Sequence, residues 1–255
     1  MPPSSDMRRP GKPAGPLAAF VLATLVAGSS LIAELVRPTA AAAGGNPNAK
    51  IVLHLVPWNN RHTCAAGELA GPGQVVTKGD LFPARYAAYA LIVDGNRGEG
   101  ISGVQFGIAF NDTLKKGVDI IDWQECSLFN WPMPGWPVET ATGNLLTWNV
   151  VTDCDTTGFR VAGFFYLTAY SPDRLRIIPR PADNMAAVID CLKNGSKNED
   201  CLDVIPQENL GFVDFGGGDG YNPWDPKQNL MKFKNPGGVR IREGTTPPDK
   251  KPGGR

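Results

Sequence analysis

The hydrophobic pattern between residues 50 and 215 consists of short runs broken by Gly, Pro, Asn and Asp. In the run "GISGVQFGIAFN" every second residue is large and apolar: Val104, Phe106, Ile108 and Phe110. A period of two places such residues on one face of a β-strand, against a core. Similar runs follow along the chain: "KIVLHLVP", "RYAAYALIVDG", "GVDIIDW", "GNLLTWNVV", "RVAGFFYLTAY", "RLRIIP" and "MAAVIDC". About eight short strands separated by turn residues predict an all-β fold, a single β-sandwich or jelly roll.

Some of these runs carry more specific predictions. "VAGFFYLTAY" is apolar on both faces, which is typical of a central strand in a sandwich. "DGNRGEG" (residues 94–100) has the glycines and asparagine of a hairpin turn, and "SPDR" those of a tight turn. "ADNMAAVIDCLKNG" predicts a strand because Pro181 precedes it and Ile189 is β-branched, with a short helix from Asp183 to Gly195 as the alternative. Gly211–Phe215 is predicted to be the last strand.

The first residues have the composition of a signal peptide rather than of a folded domain. Three basic residues precede the apolar run Leu17–Val36, and the small-residue stretch "PTAAAAGG" follows it. This order is typical of a secretory signal peptide, so we predict removal of residues 1–43 by cleavage after Ala42 or Ala43. The alternative is an uncleaved membrane anchor, because about 20 apolar residues can span a bilayer.

The rest of the chain is predicted to hold one sandwich domain, residues 44–235, and a disordered basic tail, residues 236–255, rich in Pro and Gly. Residues 44–255 carry 21 Lys and Arg against 23 Asp and Glu, so charge gives no support for nucleic-acid binding. We expect a protein that is secreted or held in the cell envelope, with membrane contact only through an uncleaved signal segment.

All five cysteines follow the predicted signal peptide, and export makes disulfides their default role. Cys191 and Cys201 bracket the turn-like "LKNGSKNED", which predicts a bridge between them. Cys126 and Cys154 each end a strand-like run and are predicted to form a second bridge. Cys64 is then left over, either as a thiol or paired in a rearranged connectivity.

Two stretches resemble cohesin-type modules: "GISGVQFGIAFNDTLKKGVDIIDW", and "GNLLTWNVV" followed by "VAGFFYLTAY". The similarity spans roughly residues 50–215, and the chain is also similar to exported bacterial proteins with a Gly-Tyr-Asn-Pro ending. The resemblance implies a β-sandwich that binds dockerin partners or serves as an extracellular scaffold, and related sandwiches bind carbohydrate. We therefore expect a non-catalytic binding or structural module that recognises carbohydrate or a protein partner at the cell surface. Pairing through an edge strand is expected to allow self-assembly.

The aromatic segment "DWQECSLFNWPMPGWP" is the first candidate for a binding site. Its prolines stiffen the segment and exclude it from a sheet interior. Exposed aromatic rings suit a sugar face or a protein hot spot, so Trp123, Trp131 and Trp136 are predicted to bind ligand. The alternative is that these tryptophans cover the end of the sandwich as part of its core.

Carboxylates near the aromatic segment offer a different function, that of an exported glycoside hydrolase, which needs two carboxyl groups facing one another across a cleft. Asp119 and Asp122 are three residues apart, which on a regular strand predicts opposite faces. The full set of nearby carboxylates is Asp119, Asp122, Glu125, Glu139, Asp153 and Asp155. None of them lies in a recognisable catalytic signature, so no catalytic residue is predicted.

The glycine-rich motif "GFVDFGGGDGYNPWD" (residues 211–225) is the candidate for a metal site. Part of it matches one copy of a calcium-binding nonapeptide pattern, an architecture that requires stacked copies. A solitary Ca²⁺ site is predicted from its oxygen-bearing side chains: Asp214, Asp219, Asn222 and Asp225. The alternative is a turn in which the glycines supply positive φ angles after the last strand.

Overall fold

The computed structural model describes residues 45–59, 61–191 and 201–228. The predicted signal peptide and the predicted basic tail lie outside these residues. The described part confirms the predicted all-β sandwich. Twelve strands follow in chain order: β1 (Lys50–Pro57), β2 (Lys78–Gly79), β3 (Tyr86–Val93), β4 (Gly103–Ala109), β5 (Val118–Glu125), β6 (Phe129–Pro132), β7 (Thr142–Thr147), β8 (Arg160–Ala169), β9 (Asp173–Ile178), β10 (Ala187–Ile189), β11 (Leu202–Val204) and β12 (Phe212–Phe215).

The strands form a four-stranded and an eight-stranded sheet. The smaller sheet is antiparallel, in the order β1-β3-β8-β5. In the larger sheet β4 pairs with β7 along one side, and β7 pairs with β6 beyond it. The other side of β4 pairs with β10 near its start and with β9 near its end. β11 extends the sheet from β10, and β12 and β2 extend it from β9.

The core lies between the two sheets and follows the alternation in the sequence. Val104, Phe106 and Ile108 of β4 have no solvent exposure. They belong to one buried cluster with Phe165 and Leu167 of β8. Burial of each such side chain contributes about 1.5–3 kcal/mol. The residues between them on β4 therefore face outwards, and this outer face carries the candidate site.

The other face of the four-stranded sheet is buried as well. Tyr89 of β3 and Phe164 of β8 belong to a second apolar cluster there. Residues 61–74, the covering segment, pack over it so closely that a Cβ added to Gly67 would lie 2.4 Å from the Tyr89 ring. Trp224 packs against the same cluster. β8 is thus buried on both sides, as its sequence predicted.

The hairpin prediction for residues 94–100 is wrong. β3 belongs to the four-stranded sheet and β4 to the eight-stranded sheet, so this turn carries the chain from one sheet to the other. Its glycines and asparagine still make a turn, in which Gly95 N–H donates to Gly158 O at 3.0 Å. The local residues determine that the chain turns here. Which strands then pair is determined by the burial of the apolar faces of the two sheets. Two other local predictions are confirmed, since Ala187–Ile189 and Phe212–Phe215 are strands.

Both predicted disulfides are wrong. Cys126 and Cys154 do not pair with one another, and Cys191 does not pair with Cys201, which is buried. The structure forms two other bridges: Cys64–Cys126 and Cys154–Cys191. Cys126 directly follows β5, and Cys64 lies in the covering segment over the same sheet. The first bridge therefore ties that segment to the sheet that it covers.

The second bridge, Cys154–Cys191, forms because residues 99–101, after β3, contact the segments that contain these two cysteines. Ile101 pairs with Asp155, the residue after Cys154. Glu99 O accepts a hydrogen bond from Cys191 N–H at 3.2 Å. The spacing of the cysteines along the chain predicts neither of these two contacts.

Candidate functional site

β6 carries two aromatic side chains on the open side of the eight-stranded sheet. Phe129 and Trp131 are 56% and 50% exposed. Their ring centroids lie 6.2 Å apart with 36° between the ring planes. Among the described residues β6 pairs only with β7, so its other edge is open. We call this pair on its edge strand the aromatic edge.

The strand register explains why both rings point outwards. Asn130, between them, pairs with Leu146 of β7, which lies in the core with no exposure. Phe129 and Trp131 pair with Thr147 and Leu145, whose side chains point to the opposite, outer face. Pro132 ends the strand, consistent with the expectation that the prolines keep this segment out of a sheet interior.

The other two predicted ligand-binding tryptophans lie in or against the core. Trp123 is 9% exposed, and its ring centroid lies 4.4 Å from that of Phe165. Trp136 is partly buried and makes an edge-to-face contact with Trp123 at 5.4 Å. The structure therefore separates Trp131 from Trp123 and Trp136. Phe129 was missed by sequence reasoning, although its spacing of two from Trp131 was the available signal.

A groove of about 650 Å³ crosses the same outer face on the far side of β4. Arg174 of β9 donates to both carboxylate oxygens of Asp214 at 2.6 and 2.9 Å, and its guanidinium lies 3.8 Å from the Phe212 ring centroid. Arg176, two residues on, is exposed on the same face and forms no ion pair among the described residues. The groove therefore presents one guanidinium that is available to an acidic partner.

The glycine-rich motif forms one wall of this groove. Gly216 and Gly220 have φ angles of +74° and +68°, and a Cβ on Gly220 would lie 2.3 Å from Thr77 O. Only glycine combines a readily adopted positive φ angle with the absence of a Cβ. The alternative interpretation, a glycine turn after the last strand, describes this geometry. Gly217 has no neighbour within 4 Å of its Cβ position, so the turn is open to solvent there.

The four predicted calcium ligands each have separate contacts. Asp214 pairs with Arg174, and Asp219 lies 3.4 Å from Lys78 with its side chain 94% exposed. The other two serve the following turn: Asn222 Oδ1 accepts from Trp224 N–H, and Asp225 Oδ1 accepts from Lys227 N–H. Within the described residues no three His, Cys, Asp or Glu side chains are grouped to hold a metal. Calcium binding stays a prediction.

The carboxylates of β5 are arranged differently from the expectation. The register shifts between Ile120 and Asp122, where a bulge inserts one residue. Asp119 and Asp122 therefore pair with Thr168 and Tyr166, which lie on one face of β8. The prediction of opposite faces was wrong, because a bulge cannot be read from spacing. Asp119 accepts from Lys115 N–H, and Asp122 from Trp123 N–H.

A second cleft of about 660 Å³ lies beside the covering segment. Its floor includes Phe159 and Trp224, whose ring centroids are 5.9 Å apart. Trp224 Nε1 donates to Asp94 Oδ1 at 3.0 Å. Arg97 at the rim donates from Nε to Thr157 O at 3.1 Å. Asp94 and Arg97 at this cleft therefore bond to other segments of the fold.

Neither histidine lies at the aromatic edge. Burial lowers the pKa of His54 to about 4, and its Nδ1 accepts a hydrogen bond from Val76 N–H at 3.0 Å. Burial also lowers the pKa of His62, whose ring lies near Tyr89 and Phe164. Burial therefore favours the neutral form of both side chains.

This geometry predicts a stability that falls as the pH is lowered. His54 takes up a proton near pH 6.5 when unfolded and only near pH 4 when folded, so its contribution is present above pH 6.5 and is lost towards pH 4. We expect wild type to lose roughly 2 kcal/mol more than His54→Asn between these limits, after allowance for solvent screening. The asparagine retains an acceptor for Val76 N–H. Urea unfolding at several pH values measures the difference, and parallel pH profiles would refute it.

No family model matches the sequence, and no curated protein does either. Solved cohesin modules are similar in structure. A cohesin module from a family 33 glycoside hydrolase of Clostridium perfringens is 12% identical, covers 65% of this chain and 97% of its own, and has a TM-score of 0.37. The seventh ScaB type I cohesin of Pseudobacteroides cellulosolvens is 8% identical, covers 66% and 94%, and has a TM-score of 0.39.

Cohesin-type modules are also the family that the sequence resembles. Among the described residues, no helix has the length and apolar character needed to cross a membrane.

Proposed function

We propose that this chain is an exported, non-catalytic binding module and that a protein partner docks on its aromatic edge. The observation that carries the proposal is the pair of half-exposed rings, Phe129 and Trp131, side by side on an open strand edge. Aromatic anchors provide large contact area at low entropy cost and dominate many protein interfaces. An open strand also offers backbone N–H and C=O groups to a strand of the partner.

Charge on the same face supports an acidic partner. The outer face of the eight-stranded sheet carries exposed Arg176, and Arg174 beside it is already neutralised by Asp214. Complementary charge steers encounter and fixes register more than it adds affinity. We therefore expect partner binding to weaken with salt while remaining dependent on Trp131.

Two disulfides support export, because such bridges form and persist in oxidising compartments. The two β5 carboxylates considered for hydrolysis lie on one face of the same strand rather than across a cleft from one another, which supports a non-catalytic role. Asp119 and Asp122 accept hydrogen bonds from neighbouring backbone N–H groups of their own strand or turn. Carbohydrate is the other ligand that an aromatic surface suits, and the experiment below separates it from protein.

The test is capture of exported proteins of the source organism on the immobilised full chain. Trp131→Ala and Phe129→Ala are each expected to weaken capture of a partner about tenfold or more. Leu114→Ala, at a site 76% exposed on another loop, serves as the matched control and is expected to leave capture unchanged.

Three results would overturn the proposal. Equal capture by wild type and Trp131→Ala would remove the aromatic edge as the docking surface. Binding to a glycan array that is lost in Trp131→Ala, without protein capture, would assign the surface to carbohydrate. Concentration-dependent dimers in size-exclusion chromatography that Trp131→Ala abolishes would make a second copy the occupant.

A further inference from the structure

The second cleft is built from segments that lie far apart in the sequence. The covering segment forms one wall, which includes the Cys64–Cys126 bridge. The turn after β3, the segment 155–161 and Trp224 complete the lining. The volume of about 660 Å³ falls within the range typical of small-molecule sites. The cleft lies over the four-stranded sheet, whereas the aromatic edge belongs to the eight-stranded sheet.

Two aromatic rings form the floor of this cleft. Phe159 and Trp224 are both half-buried, and 42° separates their ring planes. From below, both pack against the buried cluster that contains Tyr89 and Phe164. The floor is therefore an apolar surface that the core supports from one side and that the cleft exposes on the other.

Both rings are held in place by hydrogen bonds. Trp224 Nε1 donates to Asp94 Oδ1 at 3.0 Å, and the same carboxylate accepts from Lys50 Nζ. The backbone N–H of Phe159 donates to Thr157 Oγ1 at 3.2 Å. A floor that is ordered before a ligand arrives lowers the entropy cost of binding.

Two charged groups on the rim remain for a ligand. Arg97 donates from Nε to Thr157 O at 3.1 Å, which fixes the guanidinium plane, and its Nη groups bond to none of the described residues. The exposed carboxylate of Glu68, on the covering segment, likewise accepts no hydrogen bond within the described part of the chain. The other charged side chains of the lining are in ion pairs: Asp94 with Lys50, and Asp155 with Arg160. The rim thus offers one cation and one anion, whose charges cancel.

These groups define the chemistry of a ligand. A guanidinium only donates hydrogen bonds and a carboxylate only accepts them, whereas a hydroxyl group does both. A neutral ligand with several hydroxyl groups therefore satisfies both side chains without the cost of desolvating a charge of its own. The floor adds a requirement for apolar surface. A sugar ring meets both requirements, because its hydroxyls project around its edge and its C–H groups lie against the negative faces of aromatic rings.

We propose that the second cleft binds a carbohydrate. The C–H face of one sugar ring lies on Phe159 and Trp224, and its hydroxyl groups bond to Arg97 and Glu68. Binding is non-covalent and breaks no bond. The inference does not rest on the docking of a protein at the aromatic edge. With both sites occupied, the chain would hold a glycan at one sheet and a protein at the other.

Saturation-transfer NMR of the full exported chain tests for binding. The probes are free glucose, galactose, mannose, N-acetylglucosamine and their disaccharides, and a printed glycan array covers longer chains. We expect at least one sugar to bind, with the strongest transfer to carbon-bound protons on a single face of the ring. Binding on the array without any free sugar would mean that the cleft takes a polysaccharide segment rather than a small sugar.

Titration calorimetry of the best ligand then tests the site. Arg97→Ala and Glu68→Gln, both at exposed positions, are each expected to raise Kd about tenfold, because hydrogen bonds to charged groups are the strong ones. Phe159→Leu retains apolar volume without a ring and is expected to raise Kd about fivefold. The matched control is Arg61→Ala, at an exposed arginine of the covering segment outside the cleft lining, which is expected to leave Kd unchanged.

Several outcomes would overturn the inference. The absence of binding to every free sugar and to the array would exclude a carbohydrate site. Binding of glycine or inorganic phosphate in place of sugars would assign the rim charges to a zwitterion or an anion. A Kd unchanged in folded Arg97→Ala and Glu68→Gln would place the sugar elsewhere. Loss of sugar binding in Trp131→Ala would assign the sugar to the aromatic edge, whereas loss of protein capture alone in this variant concerns only the proposed docking surface.

Discussion

Replacing Trp123 with alanine is expected to lower the free energy of unfolding by about 3–5 kcal/mol, whereas Trp131→Ala is expected to cost less than about 1 kcal/mol. The difference follows from their surroundings. Trp123 is 9% exposed and packs on Phe165 and Trp136, while Trp131 is 50% exposed on an edge strand. A Cβ added to Gly163 would lie 2.4 Å from the Trp123 ring, so backbone encloses this ring closely.

Urea unfolding of both variants measures this contrast. Trp123→Phe is the matched control, because it retains an aromatic ring and is expected to recover more than half of the lost stability. A Trp123→Ala variant as stable as wild type would show that this tryptophan is not part of the core. Trp131→Ala with a loss of several kcal/mol would make it a structural residue and remove it from the docking surface.

Replacing Cys64 and Cys126 together with alanine is expected to lower the free energy of unfolding by about 4 kcal/mol. The bridge closes a loop of 62 residues, and cross-links of this span remove a corresponding entropy from the unfolded chain. The structural consequence is specific as well. The covering segment loses its covalent tie to the four-stranded sheet, so we expect trypsin to cleave after exposed Arg61 faster than in wild type.

The matched control is replacement of Cys154 and Cys191, which closes a loop of 37 residues. This variant is expected to lose a similar stability, without faster cleavage after Arg61. Denaturant midpoints together with mass spectrometry of tryptic fragments distinguish the two variants. Cleavage after Arg61 at the wild-type rate in the Cys64 and Cys126 variant would contradict the role assigned to this bridge.

The strands could be predicted because each is a local pattern. The alternation of Val104, Phe106 and Ile108 predicted β4 and its buried face, and the doubly apolar "VAGFFYLTAY" predicted the central position of β8. Such a pattern involves residues only two positions apart, so it can be read from the sequence without knowledge of the tertiary structure. The sandwich fold follows from the number and length of these strands.

What could not be predicted depends on long-range pairing. Cys64 meets Cys126 only because the covering segment folds over the outer face of the four-stranded sheet, and the sequence does not state which face a loop covers. The bulge between Ile120 and Asp122 moves a carboxylate to the other face of its strand. Both events are decided by packing between distant segments.

The candidate site was predicted in part for the same reason. The aromatic segment was recognised from composition, but exposure differs among its tryptophans because β6 pairs with β7 while Trp123 lies on β5. The register of β6 thus places the side chains of both Trp131 and Phe129 on the surface.

The covering segment makes the two outer sheet faces of the molecule different from one another. The chain itself covers the apolar cluster on one outer sheet face, whereas Phe129, Trp131 and Arg176 are exposed to a partner on the opposite face. A surface-tethered copy would therefore have to be oriented for its partner to reach it. A fluorophore on exposed Ala65, in the covering segment, would leave the face with Phe129 and Trp131 accessible to a partner.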